Sequence, residues 1–227
     1  EGSDWMFMMA RTSQDMPKHK GISFLLTEMN VEGIKIEKIP MMWNAYRGLV
    51  TFNNVRIPKK NLVGALNQGW YVGASLLDFE RSGVDRPARA QRVLEELTQF
   101  CKWTRWQGHY LAEDSLIRAR LSNAAIEIEA SRIMCYNVAW MQSHGLIPNK
   151  EASIAKVFGS EMIVRTYQLA MKILGQYGQL EPGSERAPMA GRIENAFLRS
   201  LGGTVAAGTS EIQRNIISTR GLGLPRG

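Results

Sequence analysis

Cysteine, histidine and long apolar runs are all scarce in this chain of 227 residues. Its two cysteines, Cys101 and Cys135, are too few for a disulfide framework, so a reducing compartment is expected. Three scattered histidines argue against a metal cluster. No apolar run approaches the roughly 18 residues of a transmembrane helix, and the N-terminus lacks the apolar core of a signal peptide. These absences argue against a secreted disulfide scaffold and against a membrane-spanning chain.

Several familiar catalytic motifs are missing as well. The sequence contains no CxxC, no HExxH, no Gly-rich P-loop and no GxSxG. The chain starts at Glu1 without an initiator Met, and we expect it to be a piece of a longer protein or a processed product.

Composition and charge indicate a folded, basic protein. Apolar residues make up 44% and charged residues 22% of the chain, with a mean hydropathy of -0.21, which excludes a disordered tail or a coiled-coil rod. The net charge of +7 and the pI near 9.6 suit a nucleic acid, an acidic membrane face or a phosphorylated ligand. Against nucleic-acid binding, Lys and Arg are dispersed through amphipathic helices and no RNP-like aromatic motif occurs.

The order of elements is strands first and helices afterwards. Residues 4–66 contain short apolar or alternating runs separated by Gly, Pro, Asn and Asp clusters, which predicts several antiparallel strands. After Asn67-Gln68-Gly69 the apolar period changes from two to about 3.6 residues, which predicts helices. The predicted helices cover residues 69–103, 114–145, 150–175 and 209–220, with Asp114 and Thr209 as N-caps. This segregation indicates an α+β protein in which a β domain is joined to a helical bundle.

One carboxylate on the first predicted helix is oddly placed. Glu80 lies in an apolar stripe that has small residues beside it on the same helix face. The stripe consists of Gly73, Leu76, Leu77, Gly83 and Val84. A carboxylate there would lose solvation, its pKa would rise, and it could act as a general base near neutral pH. The alternative is a Glu at a buried edge that pairs with Arg81 or Arg86.

Two glycine-containing turns adjoin the later helices. In Ala206-Ala207-Gly208-Thr209-Ser210-Glu211-Ile212-Gln213-Arg214 a small turn enters a helix, whose free N–H groups suit an anionic or carbonyl oxygen. Gly175-Gln176-Tyr177-Gly178 closes the preceding long helix. The alternatives are an ordinary capped helix at the first turn and a simple C-cap at the second.

Several motifs, in the order in which they occur in this sequence, resemble motifs of the acyl-CoA dehydrogenase family. The match covers essentially the whole chain. The family's middle β domain is similar to Asp4-Trp5-Met6-Phe7-Met8-Met9-Ala10-Arg11, Phe52-Asn53-Asn54-Val55-Arg56-Ile57-Pro58 and Asn61-Leu62-Val63-Gly64. Two signature stretches of its helical domain are similar to Ala152-Ser153-Ile154-Ala155-Lys156 and Gly208-Thr209-Ser210-Glu211-Ile212-Gln213-Arg214.

The resemblance implies a division into two domains. Residues 1–66 would be the second half of the middle β domain, a partial antiparallel β domain. Residues 67–227 would be the C-terminal domain, an antiparallel four-helix bundle. The family's N-terminal helical domain, and the first half of its β domain, have no counterpart in this sequence.

The resemblance also implies where the catalytic base lies. Many members carry the catalytic Glu immediately before the Gly-Thr of the last motif, where this chain has Ala207. A second branch, of isovaleryl-type or actinobacterial-like enzymes, places the base on the first long helix in a Leu-Asp-x-Glu-Arg context. The run Leu77-Asp78-Phe79-Glu80-Arg81 fits that branch, and Ala207 matches the small residue that accompanies it. Glu80 is therefore the expected base.

By the same resemblance, the activity is FAD-dependent dehydrogenation of an acyl-CoA thioester to a trans-2-enoyl-CoA. Glu80 would remove the α-proton while hydride leaves the β-carbon for the flavin. The backbone N–H of Ala207 and the flavin ribityl chain would bind the thioester carbonyl. The other implied contacts are Asp78, Arg81 and Gly208 with the substrate, Thr209 and Glu211 with FAD, and Gly175 and Gln176 with the FAD of a neighbouring subunit.

Three positions depart from the family pattern. Lys172 replaces a Gln that is common near the flavin adenylate, and Gly202-Gly203 replaces bulkier residues. Arg105-Trp106-Gln107-Gly108 is the nearest match to the segment that binds the pyrophosphate across the dimer. These departures leave open the alternative of a non-catalytic partner subunit in a heteromeric acyl-CoA dehydrogenase.

The resemblance also implies partners and a location. The expected partners are an acyl-CoA substrate, electron-transfer flavoprotein as the acceptor, and further subunits in a homo- or heterotetramer built as a dimer of dimers. The expected location is the cytoplasm of a bacterium, or the mitochondrial matrix if the source is eukaryotic.

Overall fold

Strands occupy the first third of the chain and helices dominate the rest, in the order that the sequence predicts. The structure is a computed structural model that describes residues 3–80 and 83–225. For residues 77–80 it describes only the backbone. These residues group into two compact units, the first ending at Phe79 and the second starting at Glu80. The predicted α+β class is confirmed.

The first unit carries two small antiparallel sheets. One sheet has the order β1-β2-β5, and the other is the hairpin β3–β4. The strands are β1 (Trp5–Arg11), β2 (Ile22–Glu28), β3 (Ile34–Met41), β4 (Ala45–Phe52) and β5 (Leu62–Val63). In the first sheet, Trp5 pairs with Glu28 and Arg11 pairs with Ile22. The antiparallel strands predicted for residues 4–66 are confirmed.

Helix α1 (Gly69–Glu80) lies against the first sheet. An added Cβ at Gly69 would collide with the backbone of Ser23 and Phe24, so only glycine lets the helix start this close to β2. An added Cβ at Gly73 would stand 2.9 Å from the sulfur of Met9. The first compact unit therefore includes most of α1, and the domain boundary after residue 66 stays a prediction.

Helix α4 is the centre of the second unit. The helices of this unit are α2 (Asp85–Trp103), α3 (Ser115–Ser143), α4 (Asn149–Leu174), α5 (Arg192–Gly202) and α6 (Ser210–Ile216), which continues into a π-helical turn over Ile217–Gly221. α4 contacts each of the others. The buried core consists of Ala90, Val93, Leu94, Leu97, Ile128, Met162, Ile163, Tyr167, Ala170, Leu174 and Ile193. The helical bundle expected after the β domain is confirmed.

Side-chain caps begin two of these helices at the predicted residues. Oδ1 of Asp114 accepts hydrogen bonds from the N–H groups of Leu116 and Ile117 at 2.7 and 3.0 Å. Oγ1 of Thr209 accepts one from the N–H of Ile212 at 3.3 Å. Each bond satisfies an N–H that the first helical turn leaves without a partner, so both predicted N-caps are confirmed.

One prediction about the helices was wrong, and one helix was not predicted. The helix predicted over residues 69–103 is two helices, because Gly83 takes a φ of +63° and Pro87 stands in the first turn of α2 with no N–H to donate. No helix was predicted over α5, although Ile193 and Ser200 are buried there. α5 is short, and its packing on α4 stabilises it more than its own propensity does.

Two smaller features complete the description of the second unit. A short hairpin, which was also not predicted, joins α2 to α3 through β6 (Arg105–Trp106) and β7 (His109–Tyr110). Within the described ranges, no helix combines the length and the apolarity that crossing a membrane requires.

Candidate functional site

The turn between α5 and α6 has an unusual backbone. Ala207 has a φ of +55° and Gly208 a φ of +90°. The left-handed region costs a residue with a Cβ about 1–2 kcal/mol. Such a residue persists only where its surroundings hold it in place, and such residues cluster at functional sites. The contacts around Ala207 therefore indicate a candidate site.

Two buried polar side chains hold this turn. Lys156 on α4 is 0% exposed, and its Nζ donates to the carbonyl oxygen of Thr204 at 3.1 Å. Gln213 on α6 is equally buried, and its Nε2 donates to the carbonyl oxygen of Ala207 at 3.2 Å. The N–H of Ser210 also donates to the Thr204 carbonyl, at 3.0 Å. Both ends of the turn are thus tied to helices through their carbonyl groups.

The N–H groups of the same turn are available to a ligand. In the part of the chain that the structure describes, the N–H groups of Ala207 and Gly208 make no hydrogen bond. A trans peptide holds its C=O and N–H on opposite sides. The bond from Gln213 to the Ala207 carbonyl therefore directs the Gly208 N–H away from Gln213. Both residues are partly exposed, so their N–H groups can meet an oxygen that gains negative charge.

Thr209 and Glu211 follow directly after this turn. The carboxylate of Glu211 is exposed, and hydrogen bonds from its own backbone N–H and from the Thr209 hydroxyl hold its pKa below its usual range. The charges of Arg214 and Lys156 add to this lowering of the pKa. The carboxylate is therefore ionised near neutral pH and suits a hydroxyl donor, whereas it would repel a phosphate.

The second predicted contact region lies at the end of α4. Gly175 is the C-cap of α4, with φ +59° and ψ −138°, a combination that essentially only glycine adopts. Its predicted contact with FAD stays a prediction. No heavy atom lies within 4 Å of a Cβ added there, and Gln176 is exposed. This backbone is open to close approach from outside the unit.

The predicted catalytic segment lies largely outside the described side chains. Arg81 is outside the described residues, and for Asp78 and Glu80 the structure describes only the backbone at the end of α1. In the apolar stripe, Leu76 is 45% and Val84 is 38% exposed. Gly73 and Gly83 of the same stripe are buried. The role of Glu80 stays a prediction.

Arg86, the alternative partner for Glu80, extends into the helical bundle. Its Cδ would stand 3.4 Å from a Cβ added at Gly159, and Oγ of Ser131 would stand 3.2 Å from the same position. Burial raises the pKa of the Cys135 thiol, and the charge of Arg86 partly offsets that rise. Arg86 thus lies among polar groups at the contact of α2, α3 and α4, and whether it also pairs with Glu80 falls outside the described side chains.

Two of the departures from the family pattern have a visible structural setting. The guanidinium of Arg105 lies 4.4 Å from the centre of the Tyr110 ring, and its Nη2 donates to the Tyr110 hydroxyl at 3.2 Å. A Cβ added at Gly203 would stand 3.0 Å from the carbonyl oxygen of Ser200, which leaves little room for a larger residue. The third departure, Lys172, is exposed on α4.

The sequence did not identify Lys156 and Gln213 as the residues that hold this turn. The motif around Lys156 was used only to support the family resemblance. A signal was present, because Lys156 shares a helix face with Ala152, four residues before it, and Gly159, three residues after it. A lysine among small residues on one face of a helix indicates a buried charge with a specific partner.

The comparison with known protein families defines the class. The family described as acyl-CoA dehydrogenase, C-terminal domain, matches residues 67–222. The chain therefore belongs to the acyl-CoA dehydrogenase family.

Individual relatives agree with this assignment. Acyl-CoA dehydrogenase FadE26 of Mycobacterium tuberculosis is 31% identical over an alignment of 232 positions. The alignment covers 99% of this chain and 58% of the relative. A chain in the crystal structure of the ChsE4-ChsE5 complex from Mycobacterium tuberculosis matches with a TM-score of 0.90 and 31% identity, over 99% of this chain and 58% of that chain. The Tcur3481-Tcur3483 steroid ACAD matches with a TM-score of 0.91 and 26% identity, over the same shares. The chain spans a little more than half the length of these relatives.

Proposed function

We propose that this chain is the C-terminal part of an FAD-dependent acyl-CoA dehydrogenase in which Glu80 is the catalytic base. The observation that carries the proposal is the turn over residues 204–208. Two buried side chains tie down its carbonyl groups, and the N–H groups of Ala207 and Gly208 are available to a thioester carbonyl. Membership of the family supports the reaction class.

The proposed reaction oxidises the bond between the α- and β-carbons of an acyl-CoA thioester. Glu80 takes the α-proton, which leaves its electron pair to form the new double bond of a trans-2-enoyl-CoA. FAD, when bound, would supply the acceptor for the hydride that leaves the β-carbon. The N–H groups of Ala207 and Gly208 stabilise the negative charge that develops on the thioester oxygen. We propose Asp78 and Arg81 as contacts to the CoA portion.

Ala207 suits this division of roles. A backbone N–H does not depend on its side chain, so alanine keeps the hydrogen bond to the thioester while the base stands at position 80. Alanine at position 207 also means that no second carboxylate from this position would stand beside Glu80, where two like charges would repel.

The proposed contacts to FAD are Thr209 and Glu211 beside the turn, and Gly175 and Gln176 for the FAD of a neighbouring subunit. Their donor set fits such a group. The exposed Glu211 carboxylate suits sugar hydroxyls, the exposed Gln176 amide can donate and accept, and the backbone at Gly175 is open to close approach.

A dimer of dimers is proposed for the assembly. Ile126, Ile133 and Trp140 recur every seven residues along α3, and each is more than half exposed. Such a stripe suits helix packing between subunits. We propose electron-transfer flavoprotein as the acceptor, because one relative is named as subunit CarC of the caffeyl-CoA reductase-Etf complex of Acetobacterium woodii. We propose the cytoplasm as the location, because the relatives named by the comparison are bacterial.

The second candidate is a non-catalytic partner subunit of a heteromeric acyl-CoA dehydrogenase. One matched structure is a complex of ChsE4 and ChsE5 and another is the Tcur3481-Tcur3483 steroid ACAD. The packing of Arg105 on Tyr110 also favours this candidate, because that guanidinium already has a partner in its own hairpin.

An absorbance spectrum of the purified full-length protein separates the two candidates. A dehydrogenase shows the flavin bands, and anaerobic addition of an acyl-CoA bleaches them. A protein that carries FAD and is never bleached by acyl-CoA of any chain length favours the partner subunit. A protein that carries no flavin, alone or with its partner, contradicts the first proposal.

A further inference from the structure

Lys156 is a charged side chain in the interior of the helical unit. It is 0% exposed and shares its helix with the buried residues Ala152 and Ser160. Burying an ammonium group is unfavourable unless hydrogen bonds or an opposite charge compensate it. The Nζ donates to the carbonyl oxygen of Thr204, in a turn 48 residues further along the chain. A buried charge directed at a distant backbone carbonyl indicates that the position of that carbonyl matters.

The Thr204 carbonyl is the first of two fixed points in the turn. It accepts hydrogen bonds from both Lys156 and the N–H of Ser210. The Ala207 carbonyl, which accepts from Gln213, is the second. Because both carbonyls are anchored, the backbone between them has few ways to relax out of the left-handed conformation at Ala207.

The charge of Lys156 also acts on the start of α6. Hydrogen bonds from the Glu211 backbone N–H and from the Thr209 hydroxyl are the main causes of the low pKa of the Glu211 carboxyl, and the charge of Lys156 makes the smallest of the lowering contributions. A positive charge that stabilises one carboxylate beside the turn also stabilises another oxygen that gains negative charge there.

We propose that Lys156 and Gln213 are positioning residues, which hold the N–H groups of Ala207 and Gly208 in place to bind the carbonyl of the thioester. The identity of this ligand rests on the proposed function. The anchoring of the turn does not depend on the proposed function, so the anchoring and the identity of the ligand can be tested separately.

Four variants of the full-length protein carry the test. Lys156→Met removes the ammonium and keeps the length of the side chain, whereas Lys156→Arg keeps a positively charged donor. Gln213→Glu replaces the amide donor with an acceptor that faces the Ala207 carbonyl. Lys102→Met, at an exposed lysine on α2, is the matched control.

Hydrogen exchange measures the anchoring without any ligand. Peptides that span residues 203–210 should exchange about tenfold faster in Lys156→Met and in Gln213→Glu, because each loses a hydrogen bond that closes the turn. Peptides from α3 should be unchanged, and Lys102→Met should match the wild type throughout.

Ligand discrimination measures the positioning role. The probes are octanoyl-CoA and its thioether analogue octyl-CoA, which lacks the carbonyl oxygen, and both are titrated in a Glu80→Gln background to prevent turnover. Lys156→Met and Gln213→Glu should each lower the preference for the thioester about 10-fold or more and leave thioether binding unchanged. Lys156→Arg should restore most of the preference.

Each outcome decides one part of the proposal. Unchanged exchange over residues 203–210 in Lys156→Met and Gln213→Glu overturns the anchoring. Faster exchange with an unchanged thioester preference overturns the positioning role. A Glu80→Gln protein with no thioester preference contradicts the proposed function, and the exchange rates then still decide whether Lys156 and Gln213 hold the turn. If Lys156→Met does not fold, Gln213→Glu supplies both measurements.

Discussion

The turn at residues 204–208 and the turn at residues 175–179 reach similar positive φ values by different means. In the first, Ala207 adopts the left-handed region although it carries a Cβ, and buried side chains from α4 and α6 hold it. In the second, Gly175 adopts its conformation with no heavy atom near the position of a Cβ. Tertiary contacts therefore shape the first turn, and the local residue type shapes the second.

This difference separates two kinds of candidate site. A strained turn that the fold holds in place keeps its N–H groups in a defined position, as transition-state stabilisation requires. An open glycine turn admits a ligand and defines its position less strictly. We accordingly propose the first turn for the reacting thioester and the second for a part of FAD that is distant from the chemistry.

The largest effect is expected when the base that the first turn is proposed to serve is removed. Glu80→Gln keeps the size of the side chain and removes the proton acceptor, so flavin reduction by acyl-CoA should slow about 10²–10⁴-fold in stopped-flow measurements. Ala207→Glu should partly restore reduction in that background. In the wild-type background, Ala207→Glu should weaken binding, because two carboxylates would repel.

The control for this prediction is Glu95→Gln, at an exposed glutamate on α2, which should leave the rate unchanged. Near-normal reduction in Glu80→Gln would show that the base lies elsewhere.

A smaller effect is expected at the second turn. Gly175→Ala introduces no collision, so its cost is backbone strain alone, about 1–3 kcal/mol in the free energy of unfolding. Urea denaturation measures this cost. Gly221→Ala is the control, because its Cβ would meet Lys150 at an ordinary 3.7 Å and its backbone lies outside the left-handed region. Equal stability of the two variants would mean that the turn at Gly175 relaxes freely.

The reciprocal change at the first turn should have little effect on stability. Ala207→Gly relieves strain of about 1–2 kcal/mol and adds about 0.5–1 kcal/mol of unfolded-state entropy, so the two terms oppose each other. We expect the free energy of unfolding to rise by no more than about 1.5 kcal/mol. A loss as large as that of Gly175→Ala would contradict the view that tertiary contacts, and not residue type, shape this turn.

The smallest effect concerns the pH dependence of stability at the start of α6. The pKa of Glu211 in the folded protein is lower than the usual 4.5. Its stabilising contribution is therefore complete above about pH 4.5 and is lost as the pH falls through the folded-state pKa. The urea midpoint of the wild type should exceed that of Glu211→Gln near neutral pH and approach it in acid.

Thr209→Ser is the control for this titration, because serine retains both the N-cap and the hydroxyl donor to Glu211. It should show the same pH dependence as the wild type. A midpoint difference between wild type and Glu211→Gln that is constant from pH 3 to 7 would mean that the carboxylate is not stabilised by its neighbours.

Much of the fold follows from local patterns. The alternating runs before residue 67 predicted antiparallel strands, and the period of the later segments predicted α3 and α4 to within a few residues. Asp114 and Thr209 were recognised as N-caps because the cap is an interaction within one helical turn. α5 was missed, because a short helix that depends on packing carries little signal of its own.

The residues of the candidate site also divide into those that a local pattern identifies and those that only packing reveals. Ala207, Gly208, Thr209 and Glu211 stand in one motif, and the sequence alone was enough to select them. It also identified the family, and it predicts that the base stands at Glu80. Only the tertiary structure revealed that Ala207 is left-handed and that Lys156 and Gln213 anchor the turn. The hydrogen bond from Lys156 spans 48 residues of sequence and depends on how α4 packs beside the turn. No local pattern encodes that arrangement.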